Sequence, residues 1–291
     1  MLKRLLLTCS VLLLSWNATA QQPADATGAS PASRIQDRTF HSKSLGRDVH
    51  YRVLLPRDYQ AGGRVAVLYL LHGLYGDYLN WDTRTKLEEY AANLPFLIVM
   101  PDAGNSWYTN SATVPGDRFE DFVAKDLIAE IDEKYNTIQE RHQRAIAGLS
   151  MGGYGAIKLA LKYPDLFVFA GSLSGAFNAP QNLDELRPDF RANLLQVFGN
   201  SASPVRIDND VFHILRSSTS TNYPYLYLAC GTSDFFLPVN REFVAELSSR
   251  KLAYEYHETP GGHTWEYWDG ALKPLLTAVA AVLAHPPVFE K

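Results

Sequence analysis

Ser150, Asp234 and His263 are the residues of this 291-residue chain whose types and order could pass a proton between them. A serine hydroxyl is a poor nucleophile until a base takes its proton. The usual base is an imidazole, held in the useful tautomer by a carboxylate. Ser150 lies in Gly148-Leu149-Ser150-Met151-Gly152-Gly153, a single G-x-S-x-G turn. The apolar run Ala145-Ile146-Ala147 precedes it, and a helix-like stretch from Gly153 to Lys162 follows, stopping before Pro164. Strand, tight turn and helix force such a serine onto the tip of the turn, above a helix N-terminus with unpaired N–H groups. The turn needs small residues around the serine, and Gly148, Gly152 and Gly153 supply them. The chemistry this suits is attack on an acyl carbon, with backbone N–H groups holding the oxyanion.

The partners are chosen by position. In a sheet of alternating strands and helices the expected order is Ser, then the acid, then His. His263 directly follows a strand-like run and the loop Thr259-Pro260-Gly261-Gly262, whereas His257 falls inside that strand, His213 in an irregular region and His285 in the tail. Asp234 comes four residues past the apolar run ending at Cys230, in Gly231-Thr232-Ser233-Asp234; Asp165 reads as a turn residue, and Asp208 and Asp210 as solvated. The oxyanion donors are expected to be the backbone N–H groups of Met151 and of Leu74, the latter in the His72-Gly73-Leu74 turn. His72 itself reads as a brace for that turn. Trp107, Tyr108 and Trp265 sit near strand ends and could line an acyl or aryl pocket; Trp265 and Trp268, three apart on a helix, equally fit core contacts. The reaction needs no metal or organic cofactor.

The elements that must position these groups follow from apolar periodicity. Strands are predicted at Thr39–Lys43, Val49–Leu55, Val65–Leu71, Phe96–Met100, Leu166–Leu173, Tyr225–Cys230 and Tyr254–His257, besides the run before Ser150. The unbroken apolar runs suit strands covered on both faces. Helices are predicted at Thr85–Leu94, Asp117–Tyr135, Arg241–Leu252 and Trp265–Leu283, with Asp117 and Glu120 as a cap for the second. Alternation of this kind predicts an α/β fold, a mostly parallel sheet with helices on both faces and its site at the carboxyl ends of the strands. Residues 176–222 lack the rhythm and read as a loop-and-helix insertion.

With 46% apolar and 20% charged residues the chain can bury a large core, and a net charge of −4 gives no reason to expect nucleic acid as a partner. Lys3 and Arg4, the apolar run Leu5–Leu14 and Ala18-Thr19-Ala20 read as a signal peptide over 1–20, too short to span a bilayer. Residues 21–34, rich in Ala, Pro, Ser and Gly, read as a flexible leader before one domain at 35–291. Cleavage would leave 25 Lys and Arg against 31 Asp and Glu, and Cys230 as the last cysteine, a small buried hydrophobe with no disulfide partner. Oligomeric state is not legible.

Four stretches together resemble the esterase D family of α/β hydrolases: Leu71-His72-Gly73-Leu74-Tyr75-Gly76, the turn around Ser150, Gly231-Thr232-Ser233-Asp234, and Gly262-His263-Thr264-Trp265-Glu266-Tyr267-Trp268. The similarity runs from about Thr39 to Leu283. It implies an α/β-hydrolase fold with Ser150 as nucleophile, Asp234 as orienting acid and His263 as base, acting on small-molecule or carbohydrate-linked esters of acetyl or feruloyl type. Acyl transfer to a sugar or lipid alcohol would use the same acyl-enzyme, and an S-formylglutathione hydrolase would use the same residues. A non-catalytic binding protein on this scaffold would be expected to have lost one of the three.

Overall fold

The computed structural model describes residues 34–181 and 188–286. The expected signal peptide, nearly all of the leader, and part of the expected insertion lie outside the described residues. Among the described residues no helix is long and apolar enough to cross a membrane.

Eight strands of the described residues form one sheet: β1 (Ile35–Ser42), β2 (Arg47–Leu54), β3 (Ala66–Leu71), β4 (Phe96–Pro101), β5 (Arg144–Leu149), β6 (Phe169–Leu173), β7 (Tyr225–Gly231) and β8 (Tyr254–Thr259). Their spatial order is β1-β2-β4-β3-β5-β6-β7-β8. The first two pairings are antiparallel and the rest parallel. β3, β4 and β5 are buried along their whole length, as their unbroken apolar runs require, because helices cover both faces.

One face packs α5 (Met151–Lys162), α8 (Val211–Ser217), α9 (Leu237–Ser249) and the helical run Phe119–Tyr135 through Leu127, Ile131, Ile157, Phe212 and Phe243. The other packs α10 (Trp265–Ala284) with α1 (Asn80–Arg84) and α2 (Leu87–Tyr90) through Trp81, Leu87, Leu272, Leu275 and Val279. α6 (Pro188–Phe198), α7 (Pro204–Asp208) and α8 occupy the region that the sequence left without rhythm.

Two local expectations are corrected. The helix predicted over Thr85–Leu94 is cut to the single turn α2, Leu87–Tyr90, and a separate α1 ends just before Thr85. Thr85 is extended, its hydroxyl bonds back to the Trp81 carbonyl, and the Lys86 amide donates to Asp269 of α10 at 2.7 Å. A partner 183 residues away ends the helix. The helix predicted from Asp117 begins at Phe119, as α3 (Phe119–Asp121), winds as a π-helical stretch over Phe122–Leu127, and continues as α4 (Ile128–Tyr135). Its cap is not Asp117 with Glu120. Asn110 Oδ1 accepts the amides of Glu120 and Asp121, both at 3.1 Å, while Asp117 pairs with Arg47.

Candidate active site

Ser150, Asp234 and His263 all follow the carboxyl ends of parallel strands, β5, β7 and β8, where open α/β sheets place their clefts. Ser150 is held at φ 53°, ψ −115°, a backbone conformation a serine avoids unless its surroundings impose it. They do so here. The Ser150 amide donates to the Leu173 carbonyl at 2.8 Å, and its carbonyl accepts the amides of Tyr154 at 2.9 Å and Ala176 at 3.2 Å. No Cβ fits at Gly148 or Gly152: at Gly152 it would fall on the carbonyl oxygens of Leu71 and His72, and at Gly148 on the Gly152 backbone. The turn is therefore clamped between β3 and its own helix.

The three side chains meet although 113 residues separate Ser150 from His263. His263 Nε2 lies 2.9 Å from Ser150 Oγ, and His263 Nδ1 lies 2.9 Å from Asp234 Oδ2. The carboxylate accepts at Nδ1, which puts the ring proton there and leaves Nε2 as an acceptor facing the hydroxyl. Asp234 is fully buried, and burial alone would raise its carboxyl. Hydrogen bonds from His263, from the Phe236 amide at 2.8 Å and from Ser174 outweigh that and hold it below the ordinary carboxylate value. The imidazole thus faces a fixed anion on one side and a hydroxyl on the other.

His72 braces the neighbouring turn, as its position after β3 suggested. It is 1% exposed. Nε2 accepts the Ala103 amide at 3.0 Å, so Nδ1 carries the proton and donates to the Gly73 carbonyl at 2.8 Å. Burial lowers its pKa and keeps it neutral. Met151 opens α5, so its amide lacks an intrahelical partner, and Leu74 lines the same cavity as Ser150.

The Putative esterase family model matches residues 42–279. The chain belongs to that family. An acetyl esterase of Caldicellulosiruptor saccharolyticus is 29% identical over 251 residues, covering 81% of this chain and 94% of that protein. Among solved structures, the substrate-bound fluorophosphonate-binding serine hydrolase FphF of Staphylococcus aureus superposes with a TM-score of 0.77 at 30% identity, covering 84% of this chain and 98% of that one. A ferulic acid esterase superposes with a TM-score of 0.73 at 27% identity, covering 85% and 98%. The fold is that of the α/β hydrolases, and the protein is a serine carboxylic ester hydrolase.

The esterase opens a cavity of about 730 Å³ over Ser150 and His263. Two of the three expected pocket residues line it. Trp107 forms one wall, with its Nε1 donating to Asn193 Oδ1 of α6 at 2.8 Å, and Trp265 forms another. Tyr108 is the exception and corrects that expectation. Both Trp107 and Tyr108 have positive φ, and the sharp bend sends the Tyr108 ring under α5 against Gly155. There its hydroxyl donates to the His72 carbonyl at 2.9 Å, and none of it reaches the cavity. Trp268 is buried, as a core contact would be, and its ring also stands nearly perpendicular to that of His263 with centroids 4.8 Å apart.

Sequence reasoning missed Phe235, Phe236 and Phe190 of the esterase cavity. Phe235 is 69% exposed, and its ring lies 4.6 Å from that of His263. Its place directly after Asp234 was a usable signal. Phe190 meets Trp107 edge to face at 6.0 Å from α6, a helix without a clear apolar face in the sequence.

Proposed function

We propose that this esterase hydrolyses short-chain acyl or aryl esters, of acetyl or feruloyl type, through Ser150, His263 and Asp234. The observation that carries the reading is the unbroken run of contacts from Ser150 Oγ to His263 Nε2 and from Nδ1 to Asp234, 2.9 Å each, opening onto a cavity partly walled by aromatic rings. Ser150 Oγ bonds to the ester carbon as its proton passes to His263 Nε2. The carbonyl oxygen takes the negative charge and receives the N–H groups of Leu74 and Met151. Collapse breaks the bond to the alcohol oxygen, which leaves with the proton from Nε2. A water then gives a proton to Nε2 and its oxygen bonds to the acyl carbon. The second collapse releases the acid and returns the proton to Ser150.

Asp234 holds the ring and stabilises the imidazolium without taking its proton. Trp107 and Trp265 give the acyl or aryl group flat apolar walls. The names of the acetyl esterase relative and the ferulic acid esterase neighbour support this substrate range. The basic start, apolar run and A-x-A site of residues 1–20 support export of one domain beginning near residue 35.

The test is turnover of short-chain nitrophenyl esters and methyl ferulate, with Ser150→Ala as the blank. Turnover of at least one class by the wild type, abolished in the blank, is expected. The reading fails if no ester is cleaved, or if the blank keeps most of the activity. Adding a sugar or lipid alcohol and analysing products separates hydrolysis from acyl transfer. An exported product whose N-terminus is Gln21 is expected, and retention of residues 1–20 would remove the export proposal.

A further inference from the structure

Among the described residues the large apolar side chains left well exposed are Tyr75, Ile207 and Phe235, and both Tyr75 and Phe235 line the cavity over Ser150. Exposed apolar surface gathered at a cleft marks a place that a ligand covers. Tyr75 follows the turn proposed to hold the oxyanion. Phe235 stands beside the base, its ring 4.6 Å from that of His263.

Among the described residues three aromatic rings approach His263, and two of them are spent elsewhere. Trp268 is buried and donates from Nε1 to Ser174 Oγ at 3.2 Å. Phe236, with its centroid 5.2 Å from that of His263, packs against the core. Phe235 is the one left mostly in solvent. Its support is nonetheless rigid. The Asp234 amide donates to the Gly231 carbonyl at 3.0 Å, the Phe236 amide to Asp234 Oδ1 at 2.8 Å, and the Leu237 amide to the Asp234 carbonyl at 3.0 Å. Asn240 Nδ2 of α9 donates to the Phe236 carbonyl at 2.8 Å. The backbone on both sides of Phe235 is thus fixed, and a ligand stacking on the ring has little chain to order.

The reaction decides which part of an ester meets this ring. In acylation the bond from the acyl carbon to the alcohol oxygen breaks, and that oxygen takes the proton from His263 Nε2. The alcohol oxygen must then lie within about 3 Å of Nε2. The carbonyl oxygen is held meanwhile by the N–H groups of Leu74 and Met151. Whatever the alcohol oxygen carries therefore lies beside the His263 ring, where Phe235 stands.

We propose that Phe235 is a specificity-determining residue for the leaving alcohol, and that the alcohol it favours carries a flat ring, aromatic or pyranose, that stacks on the phenyl face. The inference rests on the proposed roles of Ser150 and His263. It divides the cavity between two halves of one ester, with Trp107 and Trp265 facing the acid and Phe235 the alcohol.

The experiment holds the acid constant and varies the alcohol. kcat/KM is measured for ethyl acetate, benzyl acetate and an acetylated methyl glucopyranoside, with ethyl ferulate as the arm in which the acid changes. Wild type, Phe235→Ala and Phe235→Tyr are compared, with Ser150→Ala as the blank. This ratio reports the steps up to release of the alcohol, and the acetyl-enzyme left behind is common to all three acetates. Phe235→Ala is expected to lower it roughly tenfold for benzyl acetate, for the glucopyranoside, or for both, the size of one lost stacking partner. Ethyl acetate and ethyl ferulate should stay within twofold. The ring that loses more tells an aromatic alcohol from a sugar. Phe235→Tyr keeps the flat face and should restore the wild-type values. The side chain is mostly exposed, so the melting temperature of Phe235→Ala should match that of the wild type.

Equal losses for ethyl and benzyl acetate would overturn the inference, because Phe235 would then act through His263 on every ester. So would a loss that follows the acid, a loss that persists in Phe235→Tyr, or no loss at all. If Ser150→Ala cleaves these esters as the wild type does, the underlying reading fails instead.

Discussion

The two halves of helix α5 each hold a buried polar network, and the networks differ in one respect. At the N-terminal end Ser150 and Asp234 converge on His263, whose side chain is 16% exposed to the cavity. Two turns on, the Lys158 ammonium is fully buried among the Tyr108 carbonyl, Thr109 Oγ1, Glu120 Oε2 and Asn209 Oδ1, all within 3.0 Å. Glu120 is held in turn by Lys162 at 2.6 Å and by the Tyr163 hydroxyl at 2.9 Å. Burial would raise the Glu120 carboxyl, but the two ammonium groups outweigh it and hold it at about 2. Every donor of Lys158 is spent and no wall is open to a substrate. Buried charge is common to both ends of the helix, so what separates the network proposed to react is the cavity beside it.

The comparison is tested hardest by removing one group from each network. Ser150→Ala should lower kcat by ~10⁶, because the three groups act as a unit, and leave the melting temperature close to wild type. Lys158→Met should do the reverse. It leaves Glu120 buried with two of its three partners and costs about 3 kcal/mol in urea denaturation, while the folded fraction keeps kcat within a few-fold. A variant at 158 that stays as stable as wild type but loses turnover would place the sealed network in the reaction and end the distinction.

The sealed network also carries a pH signature. Glu120 titrates near 4.5 when unfolded and at about 2 when folded, so its contribution is complete above pH 4.5 and fades as pH falls toward 2. Denaturation midpoints of the wild type should fall through that window, and Glu120→Gln should flatten the slope. An unchanged slope would remove Glu120 from the acid response.

Most of the open network was legible in the sequence and almost none of the sealed one. Ser150 and Asp234 each follow a strand whose apolar run is visible, His263 follows the shorter strand-like run Tyr254–Thr259, and their order along the chain did the rest. His72 was legible for the same reason. Lys158 was not. A lysine in a helical stretch reads as a solvated charge, and its side-chain partners lie 38 to 51 residues away, Glu120 on a separate helix and Thr109 and Asn209 outside any helix or strand. The misplaced cap at Asp117 has the same origin. Glu120 looked like the far half of a capping box, but Lys158 and Lys162 claim it, and Asn110 takes over the cap. Local rules find groups that strand ends present, and they fail where a distant side chain outbids the local partner.

Tyr108 joins the two networks, and the smallest prediction concerns it. Its backbone carbonyl accepts from Lys158 at 2.6 Å, and its hydroxyl donates to the His72 carbonyl at 2.9 Å. His72 lies just before Gly73 and Leu74, so that hydroxyl steadies the turn proposed to hold the oxyanion. Tyr108→Phe keeps the ring under α5 and removes only this bond, at a cost of about 1 kcal/mol. If the loss falls on the transition state, kcat drops roughly fivefold by the same factor for acetyl and aryl esters, and KM stays put. A residue in the acyl pocket would behave differently, with KM changing by an amount that depends on the acyl group, as expected of Trp107→Ala. Equal factors across the ester panel would mark Tyr108 as the strut between the sealed network and the open one. Unequal factors would return it to the pocket wall that its place in the sequence first suggested.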